Sequence, residues 1–371
     1  MRAPQIRTVA IAAGGTGGHF FPAEALATEL ARRGQRIALL TDARSGGLQS
    51  PVFEGRERFV LRGAGIAGRG LVRGARAAAA LALGTLQARR VLAHLHAGVL
   101  VGFGGYPSVA PVLATRLLRQ RPPVILHEQN AVLGRANRML ARYADLLALS
   151  HEATARVPRG ANTRVTGNPV RAAIAALAGA PYAPPTQEIR LLVLGGSLGA
   201  RVLSDVVPEA VASIAPGLRA RIAVTQQCRA EDIERVRAAY ASCGVPADLA
   251  TFFPDVAGRL AAAHLVIARA GASTVAELAV VGRPAILVPL PHAIDDHQSA
   301  NARALAEAGA AWMIPQPAFT PGALAQRLGR LLGDPALLAD AAARASTRGH
   351  AGAAVRLADA VEEMMTQERA A

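Results

Sequence analysis

The stretch Val9-Ala-Ile-Ala-Ala-Gly14-Gly15-Thr16-Gly17-Gly18 is matched in kind by Leu191-Leu-Val-Leu-Gly195-Gly196-Ser197-Leu198-Gly199-Ala200 in the second half of the chain. Each is a short apolar run, a glycine turn holding a hydroxyl residue, and then a helix-forming sequence. That order is the opening of a βαβ unit, so two copies predict an α/β fold of two Rossmann-like domains facing across a cleft. Both glycine loops then lie at the carboxyl edges of their sheets. A glycine turn ahead of a helix offers unshielded N–H groups and the positive end of the helix dipole, which suits phosphate oxygens. Neither loop ends in the Lys-Ser/Thr of a Walker A motif, and neither completes a dinucleotide fingerprint. Asp42 closes the second apolar run and keeps a dinucleotide reading open.

Strand-like runs continue from these openings at 7–12, 36–40, 99–101, 124–126 and 145–149, then at 190–194, 222–225, 249–253, 265–268, 285–288 and 311–314. Helical stretches fall at 22–33, 74–92, 108–118 and 135–141, then at 200–214, 230–243, 274–281, 297–307 and 323–332. Between the halves lies Thr166-Gly-Asn-Pro-Val-Arg171, followed by a segment with Pro181, Pro184 and Pro185, which reads as a linker. The expected domains are 1–167 plus 351–371, the tail being a helix that crosses back, and 168–350.

Composition narrows the class. Of 371 residues, 51% are hydrophobic and 18% charged, which excludes a disordered chain. No apolar run reaches 18 residues, and the amino terminus enters its first strand without a signal-peptide pattern, so a cytoplasmic setting is expected. Cys228 and Cys243 are too few for a disulfide framework or a thiolate metal site. The formal charge is 41 − 26 = +15, and every basic residue is Arg. The arginines are scattered along helices and aromatics are 4%, so no stacking platform for single strands exists and nucleic acid is not an expected partner.

Other stretches are more polar than turns require. His127-Glu-Gln-Asn130 closes a strand, Arg269-Ala-Gly-Ala-Ser-Thr-Val-Ala-Glu277 follows one, and Pro289-Leu-Pro-His-Ala-Ile-Asp-Asp-His-Gln298 breaks from another. With Arg171 at the hinge, all sit where α/β enzymes bind ligands. Five stretches, Gly14 to His19, His127 to Asn130, Gly167 to Arg171, Gly195 to Arg201 and Gly271 to Glu277, occur in the order and approximate spacing of one family, over essentially the whole chain. The chain resembles the MurG family, the peripheral cell-wall enzymes that add N-acetylglucosamine to lipid I to make lipid II. The resemblance implies the GT-B glycosyltransferase architecture, with a UDP-N-acetylglucosamine donor and an undecaprenyl-linked lipid I acceptor. It implies a place on the cytoplasmic face of the cell membrane, with other cell-wall enzymes as further partners. No cofactor is implied.

By that resemblance Thr16, Gly17 and Gly18 lie on the donor-sugar side and Asn130 hydrogen-bonds the sugar. Arg171 binds the diphosphate, a task suited to a guanidinium fork, and Ser197 hydrogen-bonds a phosphate. Phe253 lines the uracil pocket through its backbone. Ala272, Ser273, Thr274, Val275, Ala276 and Glu277 form the loop and helix start under the nucleotide, with Glu277 accepting both ribose hydroxyls. Gln298 holds the N-acetylglucosamine hydroxyls. The chain has Asp296-His297-Gln298 where members often carry two adjacent glutamines, after a loop one residue longer than in some relatives. Leu198 stands where Gln is often found.

Turning an α-linked nucleotide sugar into a β-linked product requires one in-line displacement, a base for the acceptor's 4-hydroxyl, and stabilisation of departing UDP. His19 is the candidate base, because imidazole is the side chain suited to that role near pH 7, and Glu128 is the alternative. Either residue has a structural reading: His19 as a helix-start residue bonded to its loop, Glu128 as a brace. No Asp-x-Asp pair occurs, which disfavours a metal-held diphosphate, and no metal site is expected. The stretch from Ile66 to Arg90 mixes Leu71, Val72, Leu81, Leu83 and Leu86 with Arg69, Arg73, Arg76, Arg89 and Arg90, as an anionic membrane surface requires. The same mixture also fits an ordinary helix with one buried face. Competing readings are a UDP-N-acetylglucosamine 2-epimerase, a natural-product glycosyltransferase, a nicotinamide-dependent oxidoreductase, and a nucleotide-sugar-binding regulator without turnover.

Overall fold

The computed structural model describes residues 7–15, 17–43, 50–62, 71–196, 199–291 and 293–370. The chain divides into two compact units, Met1–Arg171 with Gly352–Ala371, and Ala172–Ala351.

The first unit is built on β1 (Thr8–Ala12), α1 (Gly17–Arg32), β2 (Arg36–Thr41), β3 (Arg58–Val60), α2 (Leu71–His94), β4 (Ala97–Gly102), α3 (Gly105–Thr115), β5 (Val124–Glu128), α4 (Arg135–Leu140), β6 (Leu146–Leu149) and β7 (Thr163–Val165). Its strands form one parallel sheet in the order β3-β2-β1-β4-β5-β6-β7. Parallel strands covered on both faces read as continuous apolar runs, and β1 is wholly buried. Its side chains alternate between two cores. Val9 and Ile11 pack with Phe20, Leu26 and Leu30 of α1, while Ala10 and Ala12 face the layer of Leu92, Val109 and Val112.

The second unit comprises α5 (Ala172–Ala175), β8 (Ile189–Leu194), α6 (Arg201–Ala212), α7 (Pro216–Arg219), β9 (Ile222–Gln227), α8 (Ile233–Ser242), β10 (Ala247–Ala250), α9 (Val256–Ala262), β11 (Leu265–Ala268), α10 (Ala272–Val281), β12 (Ala285–Leu287), α11 (His297–Glu307), β13 (Ala311–Met313), α12 (Pro321–Gly333) and α13 (Pro335–Ser346). The parallel sheet runs β10-β9-β8-β11-β12-β13. Its core gathers Leu191, Val193, Leu203, Val207, Ile267 and Leu328.

The last helix, α14 (Ala353–Ala370), belongs to the first unit. Leu357, Val361 and Met365 complete the core against α1. Arg33 ties the two helices by bonding Glu29, Asp359 and Glu362 at 2.7 Å each. Arg356 Nε donates to the Thr166 carbonyl at 3.0 Å.

The structure departs from the sequence reading in instructive places. Helix α1 opens at Gly17 rather than Pro22: the proline lies inside the helix, and Gly18, whose carbonyl loses its helical donor there, is exposed to water. Strands β3 and β7 are three residues each and mostly exposed, so no long buried apolar run announces them. Strand β10 ends at Ala250, which leaves Phe253 beyond the sheet rather than in it. Helix α10 begins at Ala272, so Ser273 and Thr274 lie in its first turn and not in a preceding loop.

Gly349 sits where a Cβ would lie 2.7 Å from the Ala279 carbonyl oxygen and 2.8 Å from Val280 Cα, both main-chain atoms of α10. Gly329 in α12 has nothing within 4 Å of its Cβ position. Gly349→Ala therefore destabilises the chain by about 1–3 kcal/mol through overpacking. Gly329→Ala stabilises it by up to about 1 kcal/mol through helix propensity. Urea unfolding of both variants checks the pair; equal effects of the same sign would contradict it.

Candidate functional site

In the first unit the candidate residues converge at the carboxyl edge of the sheet. After β1 the chain turns through Gly15, at φ 83°, into α1. A Cβ on Gly17 would lie 2.7 Å from the Phe21 ring, so only glycine lets that ring lie back on the loop. The Arg171 guanidinium stands over the same ring, 5.1 Å from its centroid, which places Arg171 beside the first glycine turn. Gly18 is exposed and His19 half-buried. Thr16 lies outside the described residues.

His19 is held from one side. Its Nδ1 lies 2.8 Å from the Phe103 carbonyl oxygen and 3.1 Å from Gln129 Oε1. Both oxygens only accept, so Nδ1 carries the hydrogen and Nε2 the lone pair. Phe103 reaches this position because the chain after β4 turns through Gly104 and Gly105, at φ 79° and 66°, conformations that favour glycine. A Cβ on Gly105 would lie 3.6 Å from His19 Nε2, so this glycine flanks the lone-pair edge of the ring.

His127 is fully buried at the end of β5, and its Nε2 donates to the Gly167 carbonyl at 3.0 Å. Burial lowers its pKa to about 4, so the ring stays neutral at pH 7. Glu128, 2% exposed, accepts four hydrogen bonds: Oε1 from Asn130 N at 3.0 Å and Asn130 Nδ2 at 2.9 Å, Oε2 from Gly134 N and Asn137 Nδ2 at 2.9 Å each. The Glu128 carboxylate, with these four donors, ties the 129–134 loop to the start of α4.

In the second unit the glycine turn after β8 is equally constrained. Gly196 and Gly199 take φ 81° and 66°, and Gly199 N donates to the Gly196 carbonyl at 3.0 Å. A Cβ on Gly195 would come 2.6 Å from Ala200 N. Helix α6 then opens without a side-chain cap on its first N–H groups. Ser197 and Leu198 lie outside the described residues. Helix α10 also opens uncapped, at Gly271, with Ala272, Ser273, Thr274 and Ala276 half-buried and Val275 and Glu277 buried. Val275 is 3% exposed. Phe253 is buried under the Arg259 guanidinium, 4.1 Å above its ring. Gln298, in the first turn of α11, accepts from Leu290 N at 3.0 Å and so braces the Pro289 loop. Asp295 and Asp296, just ahead of it, hold φ 56° and 52°, a strained pair of left-handed residues.

Some residues of the site escaped the sequence reading. Phe103, Gly104 and Gly105 shape the pocket of His19, and the glycine pair after a strand was the signal available. Gln129 lies within the polar strand end His127 to Asn130, where its sequence position alone assigns it no role. Arg269, 9% exposed, donates to the Val288 and Pro289 carbonyls at 3.1 Å and to Gln316 Oε1 at 2.7 Å, locking the loop that Gln298 also holds. Asn301 Nδ2 donates to the Ala270 carbonyl at 3.2 Å and fixes the entry to α10.

Comparisons with known proteins agree with this layout. Residues 9–148 match the glycosyltransferase family 28 N-terminal domain, and residues 190–359 match the glycosyltransferase family 28 C-terminal domain. A protein of Granulibacter bethesdensis named UDP-N-acetylglucosamine–N-acetylmuramyl-(pentapeptide) pyrophosphoryl-undecaprenol N-acetylglucosamine transferase is 64% identical over 98% of this chain and 95% of its own length. A protein of the same name from Acidiphilium cryptum is 57% identical over 97% of this chain and 98% of its own. The crystal structure of Acinetobacter baumannii MurG superposes with a TM-score of 0.77 at 30% identity, covering 96% of this chain and 99% of that one. Two Rossmann-like units of the GT-B class, glycine turns at the strand ends and these identities lead to one conclusion: the chain belongs to glycosyltransferase family 28, as a member of the MurG family.

Proposed function

We propose that this chain moves N-acetylglucosamine from UDP-N-acetylglucosamine to the 4-hydroxyl of the muramic acid of lipid I, giving lipid II with inversion at the anomeric carbon. The observation that carries the mechanism is the His19 ring, hydrogen-bonded at Nδ1 by two acceptors and offering its Nε2 lone pair. In a single displacement, Nε2 takes the proton of the acceptor hydroxyl as its oxygen bonds to the anomeric carbon. The bond from that carbon to the diphosphate oxygen breaks, and UDP leaves with the electron pair. Glu128 acts as the brace of the Asn130 loop. Asn130, Gly17, Gly18 and Thr16 serve the sugar.

The departing charge is met by Arg171 and by the uncapped N–H groups of the second glycine turn, where Ser197 adds a hydroxyl. Ala272 to Ala276 present the first turn of α10 to the nucleotide, and Glu277 binds the ribose diol. Phe253 borders the uracil through its backbone. With its Oε1 engaged by Leu290 N, Gln298 turns its amide N–H groups to the sugar hydroxyls. Residues 1–167 with 351–371 serve the acceptor and the membrane, and 168–350 bind the donor.

Attachment to an anionic membrane surface falls to α2. Leu83 and Leu86 are 51% and 49% exposed, and Arg76, Arg89 and Arg90 are exposed on the same helix. Apolar contact beside cations is the physics of interfacial binding. Ile66 to Gly70 lie outside the described residues. No helix among the described residues is long and apolar enough to cross a membrane.

The direct test is transfer of radiolabelled sugar from UDP-N-acetylglucosamine to a lipid I analogue, with NADH titration as control. Tight UDP binding without transfer would overturn the assignment. In that assay His19→Ala lowers kcat by about 10²–10⁴ with little change in donor KM. Glu277→Ala raises donor KM by about 10–100-fold with kcat nearly kept, since ribose contacts act in ground and transition states alike. Reversing charge with Arg76→Glu and Arg90→Glu weakens cosedimentation with phosphatidylglycerol vesicles by about tenfold or more while sparing turnover of a soluble acceptor. Unchanged vesicle binding would move the membrane face elsewhere.

A further inference from the structure

Three hydrogen bonds at the carboxyl edge of the first sheet have their directions dictated by groups that can only accept. The Gly167 carbonyl faces His127 Nε2 at 3.0 Å, so that nitrogen bears the hydrogen and His127 Nδ1 bears a lone pair. Gln129 Nε2 lies 3.0 Å from this Nδ1, 3.2 Å from the His127 carbonyl and 3.1 Å from the Phe103 carbonyl. Three acceptors surround one end of the amide, so the NH2 group belongs there and Oε1 must point the other way. It points at His19 Nδ1, 3.1 Å distant. Gln129 is 1% exposed, so no water can compensate a flipped amide.

We propose that Gln129 is a positioning residue for sugar transfer: its amide, oriented by His127 and two main-chain carbonyls, locks His19 in the tautomer whose Nε2 lone pair can take the acceptor's proton. This role rests on the reading of His19 as the base. It goes further by assigning work to two side chains that touch no reacting atom. A swapped His19 tautomer would set a lone pair against both Phe103 O and Gln129 Oε1. When Nε2 gains the proton, Nδ1–H keeps both acceptors, so the imidazolium formed in the reaction stays hydrogen-bonded without any rearrangement. His127 must stay neutral to play its part, and its burial ensures that at working pH. Among the described residues, the surrounding elements also carry Glu24, Glu29 and Arg32 of α1, Asp42 after β2, Tyr106 of α3, Glu128 of β5, committed to Asn130, Gly134 and Asn137, Arg135 and Arg138 of α4, and Arg171 over Phe21.

The test is the pH profile of kcat for a soluble lipid I analogue, measured on the full chain as wild type, Gln129→Met, His127→Phe and His19→Ala. Gln129→Met is expected to lower kcat by about 10–100-fold with donor KM unchanged. It is also expected to move the acidic limb to lower pH, because the imidazolium loses an acceptor. His127→Phe frees the amide to turn and is expected to shift the limb in the same direction. If His19→Ala loses the limb while Gln129→Met keeps the wild-type kcat and limb, the positioning role is wrong and the base stands. If His19→Ala keeps both turnover and limb, the base reading fails and takes the positioning role with it. Imidazole ¹⁵N chemical shifts of the wild-type protein test the tautomer without any variant: hydrogen on Nδ1 of His19 is the expected state, and hydrogen on Nε2 overturns the proposal.

Discussion

A carbonyl oxygen accepts hydrogen bonds and never donates them, and at the carboxyl edge of the first sheet this one constraint sets the chemistry. Phe103 O and Gly167 O are main-chain acceptors held in place by the ends of β4 and the segment after β7. Between them every polar hydrogen has a single allowed position, through His127 and Gln129 to His19. The sheet must be parallel and covered on both faces for these carbonyls to lie inside the protein rather than in water. The alternating cores of β1 supply that cover. Sheet packing and proton chemistry are thus one problem, solved by the residues at which the strands stop.

The second unit shows the same economy at its own strand ends. Left-handed Gly196 and Gly199 turn the chain after β8 into a helix that opens without a side-chain cap. Arg269 donates to the Val288 and Pro289 carbonyls and Asn301 to the Ala270 carbonyl, so buried polar groups fix the loop after β12 and the entry to α10. The Arg171 guanidinium stands over the Phe21 ring beside the first glycine turn.

The sequence discloses whatever is local. Val9 to Gly18 and Leu191 to Ala200 reveal a strand, a turn and a helix because apolar periodicity and glycine act within a few residues. The polar strand ends at His127 and Arg269 stand out for the same reason. What stays hidden depends on partners distant in the chain or on atoms that every residue shares. The Phe103 carbonyl has no side-chain signature. Glu128 shows a carboxylate, but its four donors emerge only when the chain folds over it. Gln129 is one amide among many until three acceptors decide which way it points. Phe253 belonged by its apolar run to a strand, yet β10 stops short of it. Edge strands β3 and β7 escape notice because an exposed edge needs no apolar pattern.

The role proposed for His19, a single general base, corresponds to one displacement with inversion and without a covalent glycosyl intermediate. The most direct measurement is the anomeric configuration of the new disaccharide, read from the coupling of its anomeric proton after transfer to a soluble lipid I analogue. A β linkage formed from the α-linked donor is the predicted result. An α linkage, or a sugar trapped covalently on the protein, would contradict it.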